Sequence, residues 1–349
     1  MFAELRLRDF RCFEGLRVEF GPGFNFFIGR NGQGKTSILE GACVLLRLQS
    51  QRSSTLAPAV RFGQKAFAVT GRLDNHVLDF RYSVLRRKVS LDEAEQRTLN
   101  EYLRLARVVS FANTDIELVR GGSDARRRYL DFLAAQVDPL YRPSLRAYDR
   151  ALRSRNALLK SGQPRPREIA AYNAPLIEHG SKLMTIRAQL SERLAPLAAE
   201  AHRRISGIDE LLELRFVRGA GDDFARDLAA SQPREARLRQ TLVGPHRDDI
   251  DLAVQGKPAQ QFASEGQQRT VALALKIAQS QVFALEEGAA PLLLIDDIFG
   301  ELDPARRNAL LNCLPADAQK LVTATTIDWR ERAMEGPVFE LHERSLIRR

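Results

Sequence analysis

A chain of 349 residues with 44% apolar side chains can build one large or two medium hydrophobic cores, and it carries no internal repeat or low-complexity tract, so disordered and fibrous classes are excluded. Its 53 lysines and arginines against 44 acids leave a formal charge of +9, which suits a polyanionic partner only where the excess is locally clustered. Cys12, Cys43 and Cys313 are too few and too far apart for a disulfide framework or a zinc site, and reduced, packed thiols are expected.

No apolar run approaches the roughly 18 residues of a membrane span. Met1-Phe-Ala-Glu-Leu-Arg-Leu-Arg8 opens with charges instead of an apolar leader core, so a cytoplasmic protein with no membrane partner is expected. Up to about Leu85, strand-like runs alternate with turns: Leu5 to Phe10, Leu16 to Phe20, Phe24 to Ile28, Phe67 to Leu73 and Val77 to Val84. After the third run, Gly29-Arg30-Asn31-Gly32-Gln33-Gly34-Lys35-Thr36 fits the phosphate-loop pattern G-x-x-x-x-G-K-[ST]. The loop joins that buried-strand pattern to Ser37 to Leu46, whose apolar residues recur at helical spacing. Backbone N–H groups of such a turn wrap a β-phosphate, and the helix N-terminus adds its positive dipole end. Lys35 reaches the β- and γ-phosphates and Thr36 ligates Mg²⁺, so Gly29 through Ser37 form a candidate nucleoside-triphosphate site.

From about Leu91 to Ser206 the spacing turns helical, with a turn at Ser161-Gly-Gln-Pro-Arg-Pro166. Two helices, Asp124 to Lys160 and Arg167 to Ile205, are predicted as an antiparallel pair interrupted near Pro143 and Pro175, each about 45 to 55 Å long. A strand-like run, Leu211 to Val217, and more helix follow, and α/β character returns at about Thr241. The expected organisation is a nucleotide domain in two parts, residues 1–90 and 241–349, split by a helical lobe over 91–240. Within the second part Phe283 to Pro291 is a helix end and loop, Leu292 to Ile295 and Lys320 to Ala324 are strands, and Pro304 to Leu314 is a helix opened by proline.

The apolar run Leu292 to Ile295 delivers Asp296 and Asp297 at the end of a strand. Asp296 is the candidate to hold Mg²⁺ through its water shell and Asp297 the candidate general base, although an ordinary turn can carry the same pair. Ser264 with Gln267 three residues on forms a capping box, either a plain helix start or an outward-facing end able to accept a phosphate. Arg146, Arg150 and Arg153 share one helical face, with Arg142 and Lys160 near its ends, as a stripe that tracks phosphates or as a solvated surface. Arg126-Arg127-Arg128 and Arg86-Arg87-Lys88 add clusters without interleaved aromatics, so any DNA contact is expected at backbone phosphates. Gly244-Pro-His246-Arg247-Asp248-Asp249 lacks a second ligand segment, so a turn with Arg247 paired to the acids is expected there in preference to a metal site.

Several stretches together resemble the ABC-type ATPase heads of the structural-maintenance-of-chromosomes class, and within it the RecF family, over nearly the whole chain. They are Leu7 to Arg11, Gly29 to Thr36, Arg126 to Asp131 with Arg155 to Leu159, Gly244 to Asp249, Ser264 to Arg269, and Leu292 to Asp303. The resemblance implies an α/β ABC-type head, a mixed sheet with helices and a phosphate loop, split by an inserted helical lobe. It implies ATP and Mg²⁺, with two ATP-bound copies meeting head to tail. Ser264, Gly266 and Gln267 of one copy would then face the γ-phosphate on the other copy's Lys35, with Glu301 and Asp303 across the interface and Arg11 reaching the phosphates. It further implies a slow, DNA-stimulated ATPase of the SOS response that acts at gapped or single-strand/double-strand junctions of DNA with RecO and RecR, and indirectly RecA.

Glu265 stands where transporter signatures have glycine, and Asp297 is one methylene shorter than their glutamate, so slow hydrolysis is expected. A switch histidine is missing, with Thr325 and Thr326 the nearest candidates, and Phe111 to Asp115 departs from the family's proline and acid, so no glutamine-loop role is assigned. A nucleotide-gated clamp or adaptor with negligible turnover is the alternative. The helical insertion disfavours a transporter ATPase subunit, and an overcoming-lysogenization-type nuclease would need a further acidic metal domain.

Overall fold

The computed structural model describes residues 1–53, 55–161, 166–287, 290–330 and 334–349. The chain opens with β1 (Phe2–Phe10) and β2 (Phe13–Glu19), then runs through β3 (Phe24–Ile28) into α1 (Lys35–Arg47). It returns as β4 (Ala66–Leu73), β5 (His76–Ser83), β6 (Arg87–Leu91) and β7 (Ala94–Glu95), and a short α2 (Asn100–Arg104) precedes β8 (Val108–Ala112). Helices follow: α3 (Glu117–Arg120), α4 (Ser123–Val137), α5 (Tyr141–Lys160), α6 (Pro166–Ala170) and α7 (Asn173–Ser206). Next come β9 (Leu212–Val217), α8 (Phe224–Leu238), β10 (Asp249–Val254), β11 (Lys257–Pro258), α9 (Ala259–Phe262) and α10 (Glu265–Glu287). The chain finishes with β12 (Leu292–Asp296), α11 (Pro304–Cys313), β13 (Lys320–Ala324), β14 (Val338–His342) and β15 (Ser345–Arg348). Contacts group these elements into two units, Met1–Thr114 with Phe283–Arg349, and Asp115–Val282.

In the first unit two six-stranded sheets share a helix. One is antiparallel, ordered β2-β1-β4-β5-β6-β7; the other runs β15-β14-β3-β13-β12-β8, parallel from β14 to β8. Side chains of β4 and β5 alternate between buried and more exposed, as one-sided burial requires, whereas β8, β12 and β13 are buried nearly throughout, as expected of parallel strands covered on both faces. Helix α1 packs against β1 and β4 of one sheet and β12 and β13 of the other, which is why it is buried on almost every side.

In the second unit β11-β10-β9 form a small antiparallel sheet, and α5 pairs with α7. Their antiparallel register is fixed by Arg155 Nε donating to Asn173 Oδ1 at 3.2 Å and Arg187 Nε donating to the Tyr141 hydroxyl at 2.8 Å. Helix α7, at 34 residues, spans roughly 51 Å. The predicted Asp124 to Lys160 helix is instead two, α4 and α5, broken at residues 138–140, where Asp138 Oδ1 accepts the Leu140 N–H at 2.7 Å. Pro143 and Pro175 each sit third in their helices, in the first turn, where a missing N–H costs no intrahelical bond. The predicted turn after Ser161 falls on residues 162–165, and part of the predicted loop before Pro291 on residues 288–289, both outside the described residues.

The contacts draw boundaries different from the expected 90/91 and 240/241. Strand β8, inside the expected helical lobe, pairs with β12 from Leu292 to Asp296. Residues 241–282 pack mostly with the second unit: β10 pairs with β9, the Tyr129 hydroxyl donates to Leu275 O at 2.8 Å, and Lys276 meets Asp115 at 3.0 Å. Strand pairing between residues far apart in sequence leaves no trace in periodicity.

Two buried arginines organise the second unit. Arg187 Nη1 donates to Pro245 O at 2.6 Å and Asp248 Oδ2 at 2.7 Å, and Nη2 to Asp131 at 2.7 Å. Burial alone would lower its pKa, but Asp131, Tyr141 and Asp248 override that and raise it. Arg155 pairs with Glu235 at 2.7 Å and also donates to Thr241 Oγ1 at 2.8 Å. Contrary to expectation, Arg247 does not pair with the neighbouring acids; it donates to Thr241 O at 3.3 Å, while Asp248 meets Arg187 and Asp249 meets Arg126. His246 is held between the Tyr148 hydroxyl at 2.6 Å and Thr241 O at 3.0 Å, and burial pushes its pKa down to about 4. Arg187→Leu strands the buried Asp248 carboxylate and removes the cation beside half-buried Asp131, and should cost about 3–5 kcal/mol of stability, measured by urea unfolding.

Candidate nucleotide site

β3, β13 and β12 lie side by side and parallel, with Ile28 opposite Ala324 and Thr323 opposite Asp296. Their C-terminal ends therefore bring the phosphate loop, the end of β13 and the two aspartates to one edge of the sheet, where open α/β sheets bind ligands. The loop needs its glycines. Gly29 has φ +142° and an added Cβ would lie 2.6 Å from Leu341 O; Gly34 has φ +106° and its Cβ would lie 2.7 Å from Cys12 Sγ and 2.6 Å from Phe13 Cζ.

Lys35 is buried, and its ammonium donates to the carbonyls of Gly29 at 2.5 Å and Arg30 at 3.1 Å, so it lies across the loop it anchors. Burial lowers its pKa while Asp297 and Asp296 oppose the shift. Beside it Asp296 Oδ1 accepts hydrogen bonds from Thr36 Oγ1 at 2.8 Å and Thr323 Oγ1 at 2.6 Å. Thr323 Oγ1 in turn accepts the Asp297 N–H at 3.0 Å. Asp297 adopts φ 55°, which turns the chain immediately after the strand. Burial raises its carboxyl pKa; Lys35 opposes the shift, while Asp296 and Glu301 add to it.

These groups line a cavity of about 740 Å³ together with Asn31, Gly32, Gly34, Ser37, Arg11, Cys12, Arg52, Pro58, Val60 and Phe62. The loop geometry fits a triphosphate, since an anion would replace two carbonyls as the acceptor for Lys35. Thr36 and Asp296 offer Mg²⁺ two hard oxygen donors, the small protein contribution typical where phosphate and water complete its shell. Among the described residues no group of three or more His, Cys, Asp or Glu is placed to hold a metal ion.

Arg11 lines the cavity but is already engaged. Its Nε and Nη2 donate to buried Glu40 at 2.7 and 2.6 Å and its Nη1 to Pro58 O at 2.7 Å, which leaves one further N–H on each of Nη1 and Nη2. Gly29, Arg30 and Gln33 build the loop without lining the cavity. Ser264, Gly266 and Gln267 belong to the second unit and do not line it either. They form the reciprocal capping box: the Ser264 N–H donates to Gln267 Oε1 at 2.8 Å and the Gln267 N–H to Ser264 Oγ at 3.3 Å, with Ser264 exposed. Asp303 caps α11 through the Arg306 N–H at 2.9 Å, and Glu301 accepts from Asn113 at 2.7 Å.

Thr323, Asn113 and Glu40 escaped the sequence analysis. A polar residue inside an otherwise apolar strand was the available signal for Thr323; Glu40 and Asn113 had none beyond their side-chain type. Thr325 and Thr326 are exposed beyond β13. On the surface of α5, Arg146, Arg150, Arg153 and Lys160 are exposed, and Arg153 acts by charge on the neighbouring Asp149. Arg126 leaves the set of DNA candidates because it is buried in a bidentate pair with Asp249 at 2.6 and 2.9 Å. Arg86 and Lys88 share Glu95, and Arg87 lies over the Tyr82 ring. No helix among the described residues is long and apolar enough to cross a membrane.

Residues 1–338 match the model of the RecF/RecN/SMC N terminal domain, and the fold is that of the ABC-type ATPase heads of this class. The chain is 34% identical over 360 residues to the DNA replication and repair protein RecF of Bacillus cytotoxicus, covering 98% of this chain and 96% of that protein. Solved structures of the recombination mediator protein RecF in the RecFOR pathway, RecF-ATPrS and RecF-ATP, are similar with TM-scores of 0.89 and 0.87 at 27% identity. They cover 100% and 99% of this chain and 98% and 97% of their own. The chain belongs to the RecF family of DNA replication and repair proteins.

Thr323→Val removes the hydroxyl that serves Asp296 and the Asp297 N–H at once. It should cost about 1–3 kcal/mol by chemical denaturation, with Thr323→Ser restoring most of the loss.

Proposed function

We propose that the chain is an ATP-dependent DNA-binding protein of recombinational repair, in which a slow ATPase governs a head-to-tail dimer. The observation that carries this reading is the junction of Thr36, Asp296 and Thr323 beneath a phosphate loop crossed by Lys35, with Asp297 one residue further on. In this reading the N–H groups of Gly29 to Ser37 cradle the phosphates of ATP and Lys35 neutralises the β- and γ-oxygens. Thr36 and Asp296 hold Mg²⁺, which when bound supplies charge neutralisation for the transferred phosphoryl group. Asp297 takes a proton from the attacking water as the water oxygen bonds to Pγ and the bond from Pγ to the β,γ-bridging oxygen breaks, releasing ADP and inorganic phosphate.

Ser264, Gly266 and Gln267 then act in trans, presenting the N-terminus of α10 to the γ-phosphate on a second copy. ATP binds the dimer better than the monomer, so dimerisation and DNA affinity are linked to nucleotide state. DNA at gaps or junctions is held by its backbone, with the exposed stripe Arg146, Arg150, Arg153 and Lys160 as the proposed contact. The similarity to a recombination mediator of the RecFOR pathway supports action with RecO and RecR toward recombinase loading. The short Asp297 side chain also favours a second reading, a nucleotide-gated clamp whose turnover is negligible.

Lys35→Met should abolish nucleotide binding and with it ATP-dependent dimerisation, whereas Asp297→Asn should bind ATP, prolong the dimer and cut hydrolysis by about 100-fold or more. Light-scattering mass with no nucleotide, ADP and ATP checks this, and a Lys35→Met protein that still dimerises with ATP overturns the scheme. Since a base must be deprotonated, the wild-type rate should fall on the acid side around a pKa raised above the ordinary 3.8 of an aspartate. Replacing Arg146, Arg150 and Arg153 together by alanine should weaken binding to gapped DNA and reduce the slope of log affinity against log salt by about 2 to 3.

A further inference from the structure

We propose that Glu210 is a positioning residue for the trans-acting end of α10: its carboxylate fixes which way round the Gln267 amide sits, and through it sets Ser264 for the γ-phosphate of a second copy. This rests on the head-to-tail reading above and adds to it the residue behind the phosphate-facing end. Gln267 is engaged at both ends of its amide. Its Oε1 accepts the Ser264 N–H at 2.8 Å, and its Nε2 donates to Glu210 Oε1 at 2.7 Å. An ionised carboxylate only accepts and a backbone N–H only donates, so one orientation of the amide satisfies both. Without Glu210, Nε2 has no acceptor among the described residues, and the amide can turn its NH₂ toward the Ser264 N–H, a donor against a donor. Of the four N–H groups that open a helix without an intrahelical partner, the box takes those of Ser264 and Gln267. Those of Glu265 and Gly266 are left to meet an anion, in the direction that the box sets.

Glu210 lies on the connection from α7 to β9, where the main chain is held on both sides. Helix α7 ends at Gly207, φ +70°, whose N–H donates to Arg203 O at 3.2 Å. The Gln255 side chain donates to Asp209 O at 3.0 Å and the Gln255 N–H to Leu211 O at 2.9 Å. Between them the Glu210 N–H donates to Ile208 O at 2.9 Å, and Glu210 O meets His202 Nδ1 at 3.3 Å. The carboxylate therefore stands on a fixed root.

Balancing a cation is not what this carboxylate does. Buried His202 has its Nε2 4.0 Å from Glu210 Oε2, and neither atom has a hydrogen-bond partner among the described residues. Burial holds the His202 pKa below its ordinary value, so the imidazole is neutral. With its Nδ1–H on the Glu210 carbonyl, Nε2 turns a lone pair to Oε2. Gln267 is then the one side chain, among the described residues, whose donor meets this carboxylate within hydrogen-bond distance. The Glu210 side chain is only 15% exposed, so its charge is directed at that donor, and charge-assisted bonds of this kind are stronger than neutral ones.

The test uses the full chain carrying Asp297→Asn to suppress turnover, with light-scattering mass against protein concentration in ATP and Mg²⁺. ADP, which does not call on dimerisation, is titrated calorimetrically into the same proteins. Glu210→Ala should weaken the ATP dimer by about tenfold or more and leave ADP affinity unchanged. Glu210→Gln keeps an acceptor for Gln267 Nε2 and should restore most of the loss. Glu210→Ala combined with Gln267→Ala should dimerise no more weakly than Gln267→Ala alone, since one residue acts through the other. An unchanged dimer in Glu210→Ala overturns the proposal. So do losses that add in the double variant, or a fall in ADP affinity, either of which would mean a disturbance beyond the end of α10. A parent chain that stays monomeric with ATP, or a Gln267→Ala dimer as tight as the parent, overturns the head-to-tail reading and this proposal with it.

Discussion

Asp296 accepts a hydroxyl hydrogen bond from the first turn of α1 and another from inside β13, and the site depends on that junction. Thr36, Asp296 and Thr323 come from three separate stretches of chain, and the two bonds, 2.8 and 2.6 Å, tie the phosphate-loop helix to the strands beside it. The arrangement is available because β3, β13 and β12 are adjacent and parallel, so their C-terminal ends coincide. An antiparallel neighbour would put a loop of the opposite sense there and carry the carboxylate to the far edge.

Charge is handled differently in the two units. Around the phosphate loop the charges are only partly compensated: Lys35 rests on carbonyl oxygens, and Asp297 is raised by burial while Lys35 opposes it. Such a site is poised to gain from an arriving anion and its counterion. In the helical unit the buried charges are paired and hydrogen-bonded, with Arg187 spread over Asp131, Asp248 and a carbonyl and Arg155 over Glu235 and two neutral side chains. Breaking a pair of that kind is costly because the remaining charge has no water to return to. Three of the stretches that carry the family resemblance, Arg126 to Asp131, Arg155 to Leu159 and Gly244 to Asp249, meet in this framework. Their polar residues hold the helices in register, which accounts for the mixture of arginine, aspartate and tyrosine in a packed interior.

Much of this was legible from the chain alone. Phe24–Ile28 and Lys320–Ala324 are strands with the predicted bounds, because buried parallel strands are short apolar runs with clear punctuation. The phosphate loop and the capping box are local devices, complete within eight and four residues; the loop joins β3 to α1, and the box closes through Ser264 and Gln267. The boundaries of the two units were misplaced because β8 and β10 take partners about 180 and 35 residues away. The break before α5 was placed at Pro143 instead of residues 138–140, since a proline marks the first turn of a helix as readily as an interruption.

What the sequence by itself determined was therefore whatever depends on neighbours along the chain: strands and helices, the glycine loop, the capping box, the placing of Asp296 and Asp297 at a strand end, and the family. What only the tertiary structure decided was who meets whom. Arg11 is committed to Glu40, Arg126 to Asp249 and Asp248 to Arg187. Side-chain type records that an arginine can pair. The partner is chosen by the strand order and helix packing that set which surfaces touch.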